Sequence, residues 1–202
     1  MMKKYKPKAI IFDADGVVIN REMFSIGLAR DHGISLQKTE PFFRNEFMLC
    51  LMGKADLKKE VKRYFKSWGW KKSVNELLRL WFKNEDKTDK KMIQMIKELR
   101  DKGIKCILAT NQEKYRTNYM RKQMGFNKIF DNIFSSAEVG FKKPDKEFFQ
   151  AIMKELKGIK KQEILFWDDR EKNILGAKKF GFKTYIYKNF SDFKEKIYPL
   201  LK

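Results

Sequence analysis

Short apolar runs that alternate with stretches of helical periodicity constrain this chain more than any other feature. Residues 8–12 read as a strand that stops on an acidic turn, Asp13-Ala14-Asp15-Gly16. Met92, Ile93, Met95, Ile96 and Leu99 recur at helical spacing, and Gly103 ends that helix. A strand over 104–109 runs into Thr110-Asn111-Gln112, and the helix that follows is closed by Gly125. Residues 129–134 read as another short strand, and Pro144 sits at the start of a helix reaching residue 157. A strand over 163–167 ends in Asp168-Asp169, a helix to Phe180 meets Gly181, and 183–187 and 191–200 read as a last strand and helix. Strands that alternate with helices predict a parallel, doubly wound α/β sheet.

One segment breaks the rhythm. Residues 21–87 carry helical periodicity only, over 23–31, 41–52, 55–68 and 74–82, with a high density of aromatic side chains such as Trp68, Trp70 and Trp81. Aromatic stripes at helical spacing are first of all packing surfaces. The segment therefore reads as an α-helical module inserted after the first strand, with hinges at 19–21 and 84–89. The expected partition is a core of residues 1–18 and 88–202 and an inserted module of residues 19–87.

Composition narrows the function classes. No apolar run approaches the ~18 residues a membrane helix needs, and the lysines at the start are followed by too short an apolar stretch for a signal peptide. The expectation is a soluble, cytoplasmic protein with no membrane partner. Cys50 and Cys106 are too few for a disulfide scaffold or a four-cysteine zinc site and read as packing residues. His32, just before Gly33, reads as the end of a helix and has no catalytic role. The net charge of +20 would attract nucleic acid or phosphorylated metabolites. Residues 21–85 hold 14 basic and 8 acidic side chains, however, so the excess is spread along the chain rather than concentrated in an arm. Lys outnumbers Arg 37 to 9, where bidentate base readout favours Arg. A basic nucleic-acid-binding protein stays as the competing class.

In a parallel sheet, ligands gather at the carboxyl ends of the strands. This chain places Asp13 and Asp15, Thr110 and Asn111, and Asp168 and Asp169 there, with Lys143 ahead of a further helix. Any one of these groups is read most simply as a helix cap. The whole set, in order at successive strand ends, is not. Carboxylates this close repel unless a cation joins them, and Mg²⁺, a hard ion that takes oxygen ligands and keeps room for phosphate, suits them. A carboxylate just past a strand can attack phosphorus. Thr110 and the following helix N-terminus would bind phosphoryl oxygens, and Lys143 would neutralise remaining charge.

These four segments resemble the motifs of the haloacid dehalogenase superfamily. Ile10-Ile11-Phe12-Asp13-Ala14-Asp15-Gly16-Val17-Val18 looks like the first, Thr110-Asn111 the second, Lys143-Pro144 the third, and Phe166-Trp167-Asp168-Asp169 with Asn173 the fourth. The resemblance implies a Rossmann-like core with a helical cap inserted after the first motif. It implies Asp13 as nucleophile and metal ligand, and Asp15 as acid/base, its backbone carbonyl on Mg²⁺. Thr110 and the Asn111 amide would hold the phosphoryl group, and Lys143 would pair with Asp13 and phosphate. Asp169 would be a direct metal ligand, with Asp168 and Asn173 outside it. Asn173 departs from the second acid that many relatives carry. Asp15 favours phosphoryl chemistry over dehalogenation, because halide leaves without a proton. The implied activity is Mg²⁺-dependent hydrolysis of a small phosphate ester, of the sugar phosphate or nucleotide monophosphate class, with sugar phosphomutation as the alternative. Arg21, Arg44 and Lys54 are the cap cations that would meet an anionic substrate. The sequence leaves oligomeric state open.

Overall fold

The computed structural model describes residues 6–20 and 22–201. The chain enters through β1 (Ala9–Phe12) and passes into α1 (Phe24–His32), α2 (Leu36–Arg44), α3 (Glu46–Leu51), α4 (Leu57–Lys62), α5 (Phe65–Trp68) and α6 (Val74–Asn84). It continues through α7 (Lys90–Asp101), β2 (Lys105–Thr110), α8 (Lys114–Lys122), α9 (Phe126–Ile129), β3 (Asn132–Ser135), α10 (Ser136–Val139) and α11 (Lys146–Glu155). It closes with β4 (Ile164–Asp168), α12 (Glu171–Phe180), β5 (Lys183–Ile186) and α13 (Phe190–Ile197). The five strands are all parallel, in the order β3-β2-β1-β4-β5. This is the doubly wound α/β sheet that the alternation of patterns predicts.

Side-chain alternation along each strand feeds two separate cores. Ile10, Phe12, Cys106, Leu108, Leu165 and Trp167 join the layer that contains α7 and α13. Ala9, Ile11, Ile107, Ala109, Ile164 and Phe166 join the layer that contains α11 and α12. Sheets covered on both faces need strands that are apolar on both sides, which is why β1 and β4 are continuous hydrophobic runs. Trp167 is fully enclosed, stacked on Tyr185 at 4.8 Å and edge-on to Phe193 at 4.7 Å.

The six helices between β1 and α7 have a hydrophobic cluster of their own, centred on Phe42, Trp68, Leu77 and Trp81. Ser73 and Glu76 form a reciprocal capping box that starts α6, and Asp56 caps α4. The segment leaves and rejoins the core through paired extended chain. The Asn20 N–H donates to the Lys87 carbonyl at 2.8 Å, and that of Asp89 to the Val18 carbonyl at 2.9 Å. A second tie comes from α8, where the buried Arg116 donates to the Phe82 and Glu85 carbonyls at 2.8 and 2.9 Å. It thereby serves carbonyls at the end of α6 that have no helical partner.

Several local expectations need correction. Residues 129–134 are not one strand: Ile129 closes α9, and pairing begins at Asn132. Phe126 and Phe130 pack edge to face 5.6 Å apart, and a short apolar run does not by itself separate helix from strand. The helix read over 41–52 begins earlier, at Leu36, and breaks at Asn45. Pro41 lies inside α2, where its missing N–H removes the helical bond to the carbonyl of Gln37, an exposed residue. The helix read over 55–68 is two helices joined by a turn at Arg63-Tyr64. Pro144 precedes α11 rather than opening it, with Asp145 at the N-cap position. The Gly33 ending of α1 after His32 is as expected, at φ 66°.

Candidate active site

Parallel register brings the acids to one edge. Phe12 lies beside Leu108 on one side and Trp167 on the other, so the next residues along, Asp13 just past β1 and Asp168 at the last position of β4, meet at one edge of the sheet. The Asp13 N–H still donates to the Trp167 carbonyl at 2.9 Å. β2 and β3 lie on one side of β1, and β4 and β5 on the other. The β1–β4 boundary is therefore where the winding reverses, the place at which doubly wound sheets open a crevice.

Lys143 is the centre of the cluster. Its side chain is almost wholly enclosed, and Nζ sits 2.8 Å from Asp13 Oδ1 and 2.7 Å from Asp168 Oδ2. Burial opposes its charge, but Asp13 and Asp168 outweigh burial and raise its pKa. Asn111 fixes the backbone beneath it: Oδ1 accepts from the Lys143 N–H at 2.8 Å and Nδ2 donates to the Lys143 carbonyl at 2.9 Å. The Asn111 side chain is thus committed to positioning Lys143. Asp168 is saturated as well. Besides Lys143 it accepts from Asn173 Nδ2 at 2.9 and 3.0 Å and from the Arg170 N–H at 2.9 Å.

Asp13, Asp168 and Asp169 each present a carboxylate oxygen within 4.8 Å of the others. Burial, against the pull of Lys143, pushes Asp13 up to about 7. Burial, reinforced by Asp168, also raises Asp169. Asp15 Oδ2 accepts from Gln112 Nε2 at 3.1 Å, while its Oδ1 is buried with no hydrogen-bond partner. Clustered carboxylates are the donor set of a hard divalent cation, so the residues present fit Mg²⁺. Since Lys143, Asn173 and the Arg170 N–H occupy Asp168, Asp13 and Asp169 are the carboxylates left to hold it. Gly16 allows the approach: at φ 93° it lies so close to Asp169 that an added Cβ would stand 2.3 Å from Oδ2.

A cleft of about 640 Å³ opens from this cluster toward the helical segment. Asp13, Asp15, Thr110, Asn111, Lys143 and Asn173 line its floor, and Lys142, Arg170 and Lys172 also border it. Of the anticipated cap cations, Arg44 lines the cleft but is exposed and paired with Glu40 at 2.6 Å. Lys54 is not among the lining residues, and Arg21 lies outside the described residues.

Sequence reasoning passed over several buried groups. Gln112, which touches Asp15, stood in the same turn as Thr110-Asn111 and was within reach of a local reading. Arg116 and Glu85, 3.8 Å apart and both enclosed, gave no signal, because a charged residue on a helix is expected outside. Glu113 caps α8 and accepts from the Tyr115 and Arg116 N–H groups, yet burial raises its carboxyl to about 7.

Comparison with known proteins identifies the family. The family model for haloacid dehalogenase-like hydrolases matches residues 7–181. The chain is 30% identical over 93 residues to the sesquiterpene phosphatase astK of Aspergillus oryzae, covering 46% of this chain and 47% of that protein. It is 24% identical over 185 residues to a phosphorylated carbohydrates phosphatase of Thermotoga maritima, covering 87% and 82%. The match thus spans about half the length of the first of these relatives. Among solved structures, a HAD-like family hydrolase from Porphyromonas gingivalis superposes with a TM-score of 0.81 at 21% identity, over 97% of this chain and 98% of that one. A HAD family enzyme of Bacteroides thetaiotaomicron, crystallised with magnesium and inorganic phosphate, superposes at 0.78 and 21% identity, over 93% and 98%. Motif residues gathered on one sheet edge and a family match over most of the chain lead to one conclusion: this chain belongs to the haloacid dehalogenase-like hydrolases.

Proposed function

We propose that this protein is a Mg²⁺-dependent phosphatase that hydrolyses a small phosphate monoester through a phosphoryl-Asp13 intermediate. The observation that carries the reading is the buried Asp13–Lys143–Asp168 array, with Asp15 two residues beyond Asp13, at the base of an open cleft. Phosphatase names among the relatives support it.

Asp13 and Asp169, with the Asp15 backbone carbonyl, would hold the cation. When bound it offsets the charge of the acids and of the phosphoryl oxygens. Lys143 holds the Asp13 carboxylate in place and adds positive charge beside the phosphoryl group. Thr110 lies at the end of β2, where its hydroxyl and the backbone N–H groups of the turn that follows would receive phosphoryl oxygens. Asp13 attacks phosphorus, the bond to the ester oxygen breaks, and Asp15 gives that oxygen its proton. Asp15 then takes a proton from water, which displaces Asp13 from phosphorus and releases phosphate. Gln112, bonded to Asp15 Oδ2, orients that carboxyl. The helical segment, residues 19–87 in our partition, acts as the cap that keeps bulk water out.

The test is p-nitrophenyl phosphate hydrolysis with Mg²⁺ and with EDTA, by the wild type and Asp13→Asn. Metal-dependent turnover that disappears in a folded Asp13→Asn supports the reading. Metal-independent turnover, or an active variant, overturns it.

A further inference from the structure

The wall of the cleft facing Asp13 is aromatic and apolar. Phe24 stacks on Trp81 with ring centroids 4.6 Å apart, Phe43 and Phe47 meet Trp81 at 5.4 and 5.3 Å, and all four line the cavity beside Met48 and Leu51. At the same cleft, Met23 and Leu36 remain 57% and 50% exposed, an apolar surface left to solvent at its border.

Polar groups on this wall are mostly engaged within the protein. Thr39 Oγ1 donates to the Leu36 carbonyl at 3.1 Å, and Glu40 is paired with Arg44. Glu85 Oε1 accepts from the Phe24 N–H at 3.2 Å, and its other oxygen faces Arg116. Ser25 adds one hydroxyl. A sugar or nucleoside carries several hydroxyls or ring nitrogens, and each one desolvated without a partner weakens binding roughly 5- to 150-fold. A hydrocarbon chain gains instead, by about fourfold for each methylene buried. The volume of about 640 Å³ lies within the range of roughly 300–1,000 Å³ typical of sites for ligands of drug size.

We infer that the alcohol released by this enzyme is hydrocarbon-rich, so that the substrate is a phosphate monoester of an apolar alcohol rather than of a sugar or nucleoside. This rests on the phosphatase reading above and replaces the sugar phosphate or nucleotide expected from the sequence. The groups suited to an anion are Thr110 and Lys143 at the phosphoryl end, with Lys142, Arg170 and Lys172 also bordering the cleft. The half-buried rings of Phe43 and Phe47, both packed against the buried Trp81, receive the apolar body.

The experiment compares butyl, hexyl and octyl phosphate with phenyl phosphate, glucose 6-phosphate and AMP, all with Mg²⁺. We expect kcat/KM to rise at least tenfold from butyl to octyl and to exceed that for glucose 6-phosphate and AMP. Phenyl phosphate distinguishes aromatic from linear alcohols. In Phe47→Ser the octyl-to-butyl ratio should fall at least threefold. A wild-type ratio under tenfold, a preference for glucose 6-phosphate or AMP, or an unchanged ratio in Phe47→Ser overturns the inference and leaves the phosphatase reading intact. Calorimetric binding of butyl- and octylphosphonate with Mg²⁺ separates the two claims. If no ester is hydrolysed but octylphosphonate binds at least tenfold tighter, the phosphatase reading fails and the apolar wall stands. Equal binding of the two phosphonates overturns the wall itself.

Discussion

Replacing Lys143 by Met keeps the bulk of the side chain and removes its charge. The ammonium is within 2.8 Å of Asp13 and 2.7 Å of Asp168, and its side chain is 1% exposed. Taking away one partner of a buried ion pair leaves an uncompensated charge and costs about 3–5 kcal/mol. Here two carboxylates lose the same cation, so the upper part of that range applies at pH 8 in EDTA. For a chain of 202 residues this corresponds to a fall in Tm of roughly 8–20 °C, at 2–4 °C per kcal/mol. The penalty should shrink as pH falls. The carboxyl of Asp13 is already pushed up to about 7 by burial, and losing Lys143 raises it further. A group whose folded pKa is raised takes up a proton on folding, so its unfavourable contribution is relieved as pH falls through that value. Urea unfolding at pH 8 and pH 5, with EDTA, measures both effects. A loss of less than about 1 kcal/mol at pH 8, or a penalty that grows toward pH 5, would refute the reasoning.

Three further predictions concern Gly16, Glu113 and the net charge of the chain. Gly16→Ala should abolish Mg²⁺-dependent turnover and destabilise the fold by roughly 1–3 kcal/mol. Its Cβ would stand 2.3 Å from Asp169 Oδ2 at a φ of 93°, and normal Mg²⁺ binding by calorimetry would contradict this. Glu113 is raised by burial from 4.5 to about 7, so its proton stabilises the fold below that range and stability falls as pH rises from 4.5 to 7. Glu113→Gln should remove up to about 3 kcal/mol of that decline in pH-dependent unfolding, and an unchanged slope would sink the assignment. The charge of +20, spread over the chain, should give only salt-sensitive retention of nucleic acid. A tight complex in an electrophoretic shift at physiological salt would revive the binding-protein reading.

The sheet and the strand-end acids were legible because both rest on local, repetitive signals. Strands buried on both faces must be apolar runs, and each run here stops on the residue that enters the site: Phe12 before Asp13, Ala109 before Thr110, Trp167 before Asp168. The interior of the helical segment was less legible. The break at Asn45 separates Phe43 from Phe47, both in ring contact with Trp81, and Tyr64 in the turn at Arg63-Tyr64 meets Trp68, tertiary contacts that periodicity does not record. The resemblance already separates Asp169 from Asp168, and the fold adds a physical reason: Lys143 and Asn173 occupy Asp168 and leave Asp169. The role of the Asn111 side chain was hidden, because it supports the backbone of a residue 32 positions away.

The central claim, that Asp13 carries the phosphoryl group and Asp15 moves the protons, is tested most directly by mass spectrometry of Asp15→Asn. The variant would be mixed with p-nitrophenyl phosphate and Mg²⁺, quenched in acid and digested. Without Asp15 to activate water, the account predicts one phosphoryl group on the peptide containing Asp13, present in Asp15→Asn and absent from an Asp13→Asn/Asp15→Asn double variant. Turnover of Asp15→Asn at the wild-type rate with no phosphoryl adduct, or an adduct on another residue, would contradict it.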